Sequence, residues 1–251
     1  MKIIFKSLTK RYMVFMPVLL VLVVAQVETY SQLTTSGTFG AAVRLAIPIL
    51  LAGLGGLYSE KTGVVNIGLE GMMIMGTWFG AWGGYTFGAW QGVFIGMLGG
   101  ALFGLIHAIA TVSFQVDHIV SGVAINILAA GVARFLNVIA YKGVPYASST
   151  ASPRIQGDIG IFTMPFLAGG KIGETDTFNL LGSLENLDFF LVSDFAGLLL
   201  GFVSNISYLT LFALALVPVS ILVLWFTPLG LQMRSVGEYP AGSESLGVNV
   251  Y

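Results

Sequence analysis

Residues 58–73 read YSEKTGVVNIGLEGMM, and this stretch decides how the chain is understood. Long apolar runs flank it, yet it holds Glu60, Lys61, Glu70 and Asn66 together with three glycines. Polar side chains at membrane depth are costly and face a cavity or a bundle interior. Irregular backbone there is tolerated only where protein or water satisfies it. Whether the stretch lies in a membrane therefore comes first.

Composition answers that question. The 251 residues are 56% hydrophobic and 9% charged, with a mean hydropathy of +0.88. Soluble domains carry roughly 25% charged residues, so the chain reads as a polytopic, all-α transmembrane bundle. A net charge of −1 gives no reason to expect nucleic acid as a partner. With no cysteine, disulfides, thiolate metal sites and thiol catalysis are excluded.

Working outward, residues 1–12 carry Lys2, Lys6, Lys10 and Arg11 and no acid, before a first apolar run from Met13 to Val27. By the positive-inside rule this places the N-terminus in the cytoplasm. The same pattern also fits a signal peptide, with Val23 and Ala25 as small residues at a cleavage site. A second run covers Phe39–Leu57, with Arg44 near its start and Pro48 within it. A third covers Val64–Tyr85, and after a short turn at 86–91 a fourth covers Gly92–Phe114. The polar turn Gln115–His118 leads to a fifth run, Ile119–Tyr141.

Residues 142–207 hold three basic and six acidic side chains with several prolines, which suits an extracellular loop. Within it Phe189–Val203 is apolar but shorter than the about 20 residues of a span, and reads as a half-helix or interfacial segment. A sixth run, Tyr208–Phe226, precedes the polar residues 227–251. About six spans starting inside return both the Glu60–Lys61 turn and residues 227–251 to the inner side. A kink within one continuous span at 58–63 would put the final segment outside; a re-entrant hairpin would leave parity unchanged. The whole is read as a single transmembrane domain.

Glycines recur every fourth residue at Gly76, Gly80, Gly84, Gly88, Gly92, Gly96, Gly100 and Gly104. Small residues at this spacing let helix backbones approach closely in lipid, so the third and fourth runs are expected to pack tightly. Trp78, Trp82 and Tyr85 share a face. They form either an interfacial aromatic belt or a stacking platform for a planar base, the belt being the plainer reading. His107 and His118 lack a spaced carboxylate partner, so no metal site is expected; His107 is read as a buried, hydrogen-bonded side chain. Asn126 and Asn137 are read first as interhelical hydrogen-bonding residues, with Asn126 the better pocket candidate. Arg134 needs a partner in the membrane, and Glu70 is a plausible one.

Three segments together resemble one family: LGGLYSEKTGVVNIGLEGMMIMG (54–76), GLIHAIATVSFQVDHIVSGVAINILAAGVARFL (104–136) and TPLGLQMRSVGEYPAGSESLGVNVY (227–251). They are similar in order and spacing to permease subunits of ABC importers, in the simple-sugar and nucleoside branch, nucleosides matching best. The resemblance implies a non-catalytic, multi-pass subunit of the cell membrane, with no catalytic residue, metal or cofactor of its own. It implies an external substrate-binding protein, a second permease subunit, and a cytoplasmic ATP-binding cassette subunit that binds the ATP.

It also implies that residues 227–251 form a cytoplasmic coupling segment, with Arg234, Gly237, Glu238 and Pro240 as the matched positions. Pro240 suits the first position of a short helix, and Gly247 suits its end. Where the family shows two alanines, this chain has Gly242 and Ser243, so that helix is expected to fray. The family continues past Tyr251 with further helices, so the chain is expected to be C-terminally incomplete. A solute path near Asn66, Glu70 and Asn126 follows, because Gly63 and Gly68 permit irregular backbone and half-helix ends can point at a solute. Asn66 suits ribose hydroxyls or base edges as both donor and acceptor; a tight turn with Asn66 capping the next helix stands equally. A stand-alone secondary carrier or channel is the alternative in a different class, with Glu70 as its coupling carboxylate.

Overall fold

The computed structural model describes residues 35–250 apart from residues 156, 188 and 190. The expected inner tail 1–12 and the first run, Met13–Val27, lie outside the described residues. The helices, in chain order, are α1 (Ser36–Lys61), α2 (Leu69–Phe87), α3 (Ala89–Ala108), α4 (His118–Ala140), α5 (Leu180–Glu185), α6 (Val192–Val203), α7 (Tyr208–Phe226), α8 (Pro228–Glu238) and α9 (Pro240–Ser245). A π-helical turn, Ile109–Ser113, extends α3. Two short antiparallel pairs join Ile161–Phe162 with Ile206–Ser207 and Lys171–Ile172 with Thr175–Asp176.

Four of these stretches are long and apolar enough to cross a membrane: Ser36–Lys61, Ala89–Ser113, His118–Ala140 and Tyr208–Phe226. Helix α2 has 19 residues, about 28 Å at 1.5 Å per residue, close to the thickness of a hydrocarbon core. Its glycines, Glu70 and Trp side chains dilute its hydropathy. Helix α6 has 12 residues, too short to span, as expected of the Phe189–Val203 half-helix.

The described residues divide into two compact units: one from residues 35–47 and 160–212, the other from residues 48–159 and 213–250. In the second unit α2 packs on both α3 and α4. The glycine series makes the first contact. A Cβ on Gly92 would lie 2.7 Å from Gly80 O and from Gly84 Cα, and one on Gly96 would lie 3.0 Å from Gly76 O. Backbone meets backbone along this seam, where van der Waals packing replaces the hydrophobic drive that lipid removes. The turn expected at 86–91 contracts to Gly88, whose φ of +107° is open to glycine. Met72, Met75, Phe103, Ile125 and Ala129 form the buried centre between the three helices.

At the end of α3 the hydroxyl of Thr111 donates to His107 O (2.8 Å), a side-chain bond that competes with the helix ladder. The backbone widens there into the π turn. His107 is buried as expected, with Nδ1 2.9 Å from Ser121 Oγ on α4. Asp117 caps α4, accepting from the amides of Ile119 and Val120. Just past α4, Tyr141 is buried edge-on against Tyr85, ring centroids 5.9 Å apart. Burial first, and Tyr85 second, push its phenol pKa up.

In the first unit, α5 and α6 pack together around Leu181, Ala196 and Leu200. Gly201 of α6 meets Gly40 of α1, and Phe39 meets Phe202 with centroids 4.9 Å apart. The Glu185 carboxylate accepts from Ser36 N at 2.8 Å, placing negative charge at the positive end of α1. The segment expected as a solvent loop is thus structured from 160 to 207 by short helices and paired strands.

Candidate functional site

The break between α1 and α2 is closed by its own side chains. Ser59 Oγ donates to Val64 O (2.6 Å) and Thr62 Oγ1 to Ser59 O (2.8 Å), while Gly63 adopts φ +86°. The third run was expected to be helical from Val64, but α2 begins at Leu69. Leu69 lies against Gly55 and Gly56, more than a turn before the end of α1. Residues 62–68 therefore fold back alongside α1 before α2 starts, and the two helices are not one kinked span.

Asn66 and Asn126 both belong to this break. Asn66 Oδ1 accepts from Gly68 N at 3.0 Å, an Asx turn that fixes the approach to α2. Asn126 reaches across from α4, accepting from Gly71 N at 2.7 Å and donating to Ile67 O at 3.0 Å. One of the unpaired N–H groups of the α2 N-terminus is thus capped from a neighbouring helix rather than by a residue of the preceding turn. Gly122 and Gly71 make the approach possible: a Cβ on Gly71 would lie 2.7 Å from Ile125 O, and one on Gly122 2.8 Å from Gly68 N. Val65 N donates to His118 Nδ1 (3.3 Å), tying the same segment to the start of α4.

Glu70, in the first turn of α2, faces elsewhere. It lines a groove of about 380 Å³ between α2 and α4, with Thr77, Trp78, Asn137, Thr150 and Ser152. Trp78 Nε1 donates to Asn137 Oδ1 at 2.8 Å, and Asn137 Nδ2 donates to Ser149 O at 3.2 Å. The Trp78 and Trp82 rings stack, 7° from parallel with centroids 6.3 Å apart. Trp78 is therefore a groove residue as well as part of an aromatic cluster. Among the described residues Lys171–Asp176 is the ion pair formed, so the Glu70–Arg134 pairing does not occur.

Trp78 was weighed from the sequence as a belt or stacking residue and Asn137 first as an interhelical one, while Thr77 was not singled out, although a signal for Asn137 and Thr77 was there. Asn137 follows Asn126 by 11 residues and Thr77 follows Glu70 by 7. At 3.6 residues per turn each spacing returns to the same helix face within about 20°. Asn126 takes the lower position on the α4 stripe, at the break, and Asn137 takes the groove.

Residues 227–251, expected as the coupling segment, split into two helices, α8 and α9. Thr227 Oγ1 accepts from Gly230 N (3.1 Å) and Pro228 opens α8. Gly230 packs where a Cβ would overlap the carbonyls of Val223 and Leu224. At the other end of α8, a Cβ on Gly237 would overlap Lys61 O, and Gly63 N lies 2.9 Å from the same point. Arg234 and Lys61 both stand over the Trp225 ring, at 5.9 and 5.8 Å from its centroid. Arg234 and Gly237 thus hold the segment against its own chain, while Glu238 and Pro240 are exposed. Helix α9 begins at Pro240, and Gly247 follows with φ +83°. The expected fraying gives way to a formed helix here: the Tyr239 ring occupies the space above Gly242.

The Lys61–Gly63 turn and the segment after α7 therefore meet at one end of the second unit, on the same side as the crossing parity requires. Among the described residues no cluster of His, Asp or Glu suits a metal ion.

Residues 38–251 match the family described as branched-chain amino acid transport system / permease component. The chain belongs to this permease family. As such it is a multi-pass membrane protein. The permease is 37% identical over 220 residues to a guanosine ABC transporter permease protein of Bacillus subtilis, covering 84% of this chain and 59% of the relative. It is 32% identical over 211 residues to a nucleoside ABC transporter permease protein of Lactococcus lactis, covering 81% and 56%. A Haloferax volcanii protein provisionally named a glucose ABC transporter permease is 29% identical over 222 residues, covering 86% and 56%. The permease chain thus spans less than three-fifths of the length of these curated relatives. No solved structure gives a significant match.

Proposed function

We propose that this permease is the membrane-spanning subunit of an ATP-driven importer for nucleosides. It carries no catalytic group or cofactor; ATP is bound and hydrolysed by a cytoplasmic ATP-binding cassette subunit. A second permease subunit completes the pathway, and an external substrate-binding protein delivers the solute. The N-terminus is cytoplasmic. Two relatives named for guanosine and nucleoside transport support nucleosides over sugars.

The observation that carries the reading is the joint between Gly237 and the Lys61–Gly63 turn. An exposed surface at Glu238 and Pro240 is available to an ATPase. The same segment touches the turn that runs into the α2 break at Asn66. Force applied at α8–α9 is thereby delivered to the helix that carries Glu70. Asn66 and Asn126 act in this reading by holding the broken backbone, and Glu70 faces the solute.

The test is co-purification of the full-length subunit with its ATPase and uptake of labelled nucleoside by the assembled complex. Glu238→Arg is expected to abolish the association and the uptake. An ATPase that stays bound to Glu238→Arg places the docking surface elsewhere, and uptake persisting without any ATPase returns a stand-alone carrier.

A further inference from the structure

We propose that the groove between α2 and α4 is a recognition site for uncharged nucleosides, with Glu70 binding ribose hydroxyls and Trp78 stacking on the base. The inference rests on the importer reading and extends it from a subunit to a site. Its volume, about 380 Å³, falls within the roughly 300–1,000 Å³ of small-molecule pockets.

Three features of the lining select the solute class. The Glu70 carboxylate is exposed and makes no hydrogen bond or ion pair with any described residue. A carboxylate on a membrane helix faces an aqueous route rather than lipid, and it accepts strongly from paired hydroxyls. No Lys or Arg lines the groove. A phosphate or a free carboxylate on the solute would meet like charge without a counter-ion, which disfavours nucleotides and amino acids. Trp78 supplies a flat aromatic surface held in place by its bond to Asn137 and its stack on Trp82. Base–aromatic stacking is tolerant of base identity, which suits a site that takes more than one nucleoside. Thr77, Thr150 and Ser152 add hydroxyls that donate or accept.

The experiment uses the assembled, full-length complex in nanodiscs with 8-azidoadenosine as a photolabel, followed by peptide mapping and by uptake of labelled adenosine. Label is expected within residues 70–82 or 133–152, and to be displaced by adenosine but not by ribose or AMP. Glu70→Gln is expected to lower uptake about tenfold, the loss of one charge-assisted hydrogen bond. Trp78→Leu should lower labelling similarly, while Trp78→Phe retains most of it. Co-purification of each variant with the ATPase checks that it folds. Adenosine transport with label mapped elsewhere, or with all three variants unchanged, overturns the groove and leaves the importer reading standing. A complex that carries no nucleoside overturns both.

Discussion

Asn126 is a polar residue two turns into an apolar helix, and the two hydrogen bonds of its side-chain amide explain why. It gives the α2 N-terminus a cap that the local sequence does not supply, since Gly68 at that position has no side chain. Asn126→Ala leaves Gly71 N and Ile67 O without that partner, at a cost of about 1–3 kcal/mol. The expected outcome is a lower melting temperature of the detergent-solubilised protein. Asn66→Ala opens the local Asx turn and a weak contact of its amide with Met72 Sδ (3.5 Å), and should cost about 0.5–1.5 kcal/mol, a smaller shift in the same assay. The ordering of the two variants is the informative part: a larger loss at Asn66 would contradict the inter-helix cap. At this scale the sequence was partly legible. It singled out Asn66, Glu70 and Asn126 as polar residues needing partners, but left open which pairs form. Asn126 lies closer to the break and Asn137 closer to the groove only once α2 and α4 are set at a fixed register.

Among the elements, the α2–α3 pair was legible because a spacing of four residues in glycine has one physical use in lipid. Gly92→Val would drive a side chain into Gly80 and Gly84. Overpacking of this kind costs about 1–3 kcal/mol, and reduced yield of monodisperse protein is the expected result. Gly131 on α4 is the control, because nothing lies within 4 Å of its Cβ position. Gly131→Ala should be neutral or mildly stabilising in the same measurement, by up to about 1 kcal/mol of helix propensity. Helix α8 makes a different prediction. Gly237→Val cannot keep the contact with Lys61 and Gly63, while the exposed Glu238 and Pro240 are untouched. Such a variant should still bind the ATPase but transport at least tenfold more slowly, read as uptake per ATP hydrolysed. Normal coupling in Gly237→Val would mean that force passes by another route.

For the whole molecule, the absence of cysteine permits a direct test of sidedness. Glu60→Cys and Glu244→Cys, each exposed, should react with a membrane-impermeant maleimide only from the cytoplasmic side. Lys171→Cys, in the acidic segment, should react only from outside. Labelling of Glu60→Cys and Glu244→Cys from opposite faces would break the parity argument together with the joint at Gly237.

The sequence by itself determined the class, the runs that became helices, the glycine seam and the start of α9 at Pro240 with its stop before Gly247. Each of these follows from local physics: composition against a lipid solvent, periodicity along one helix, and the φ preferences of proline and glycine. Tertiary structure decided what local physics leaves degenerate. It delayed α2 to Leu69, because the N–H groups exposed by the break found acceptors on α4. It turned Trp78 into the groove, left Glu70 without Arg134, and set Gly237 on the Lys61–Gly63 turn. Residues 58–73 thus join the segment after α7 at one end and the candidate groove at the other, because folding brings together positions that the sequence holds more than 150 residues apart.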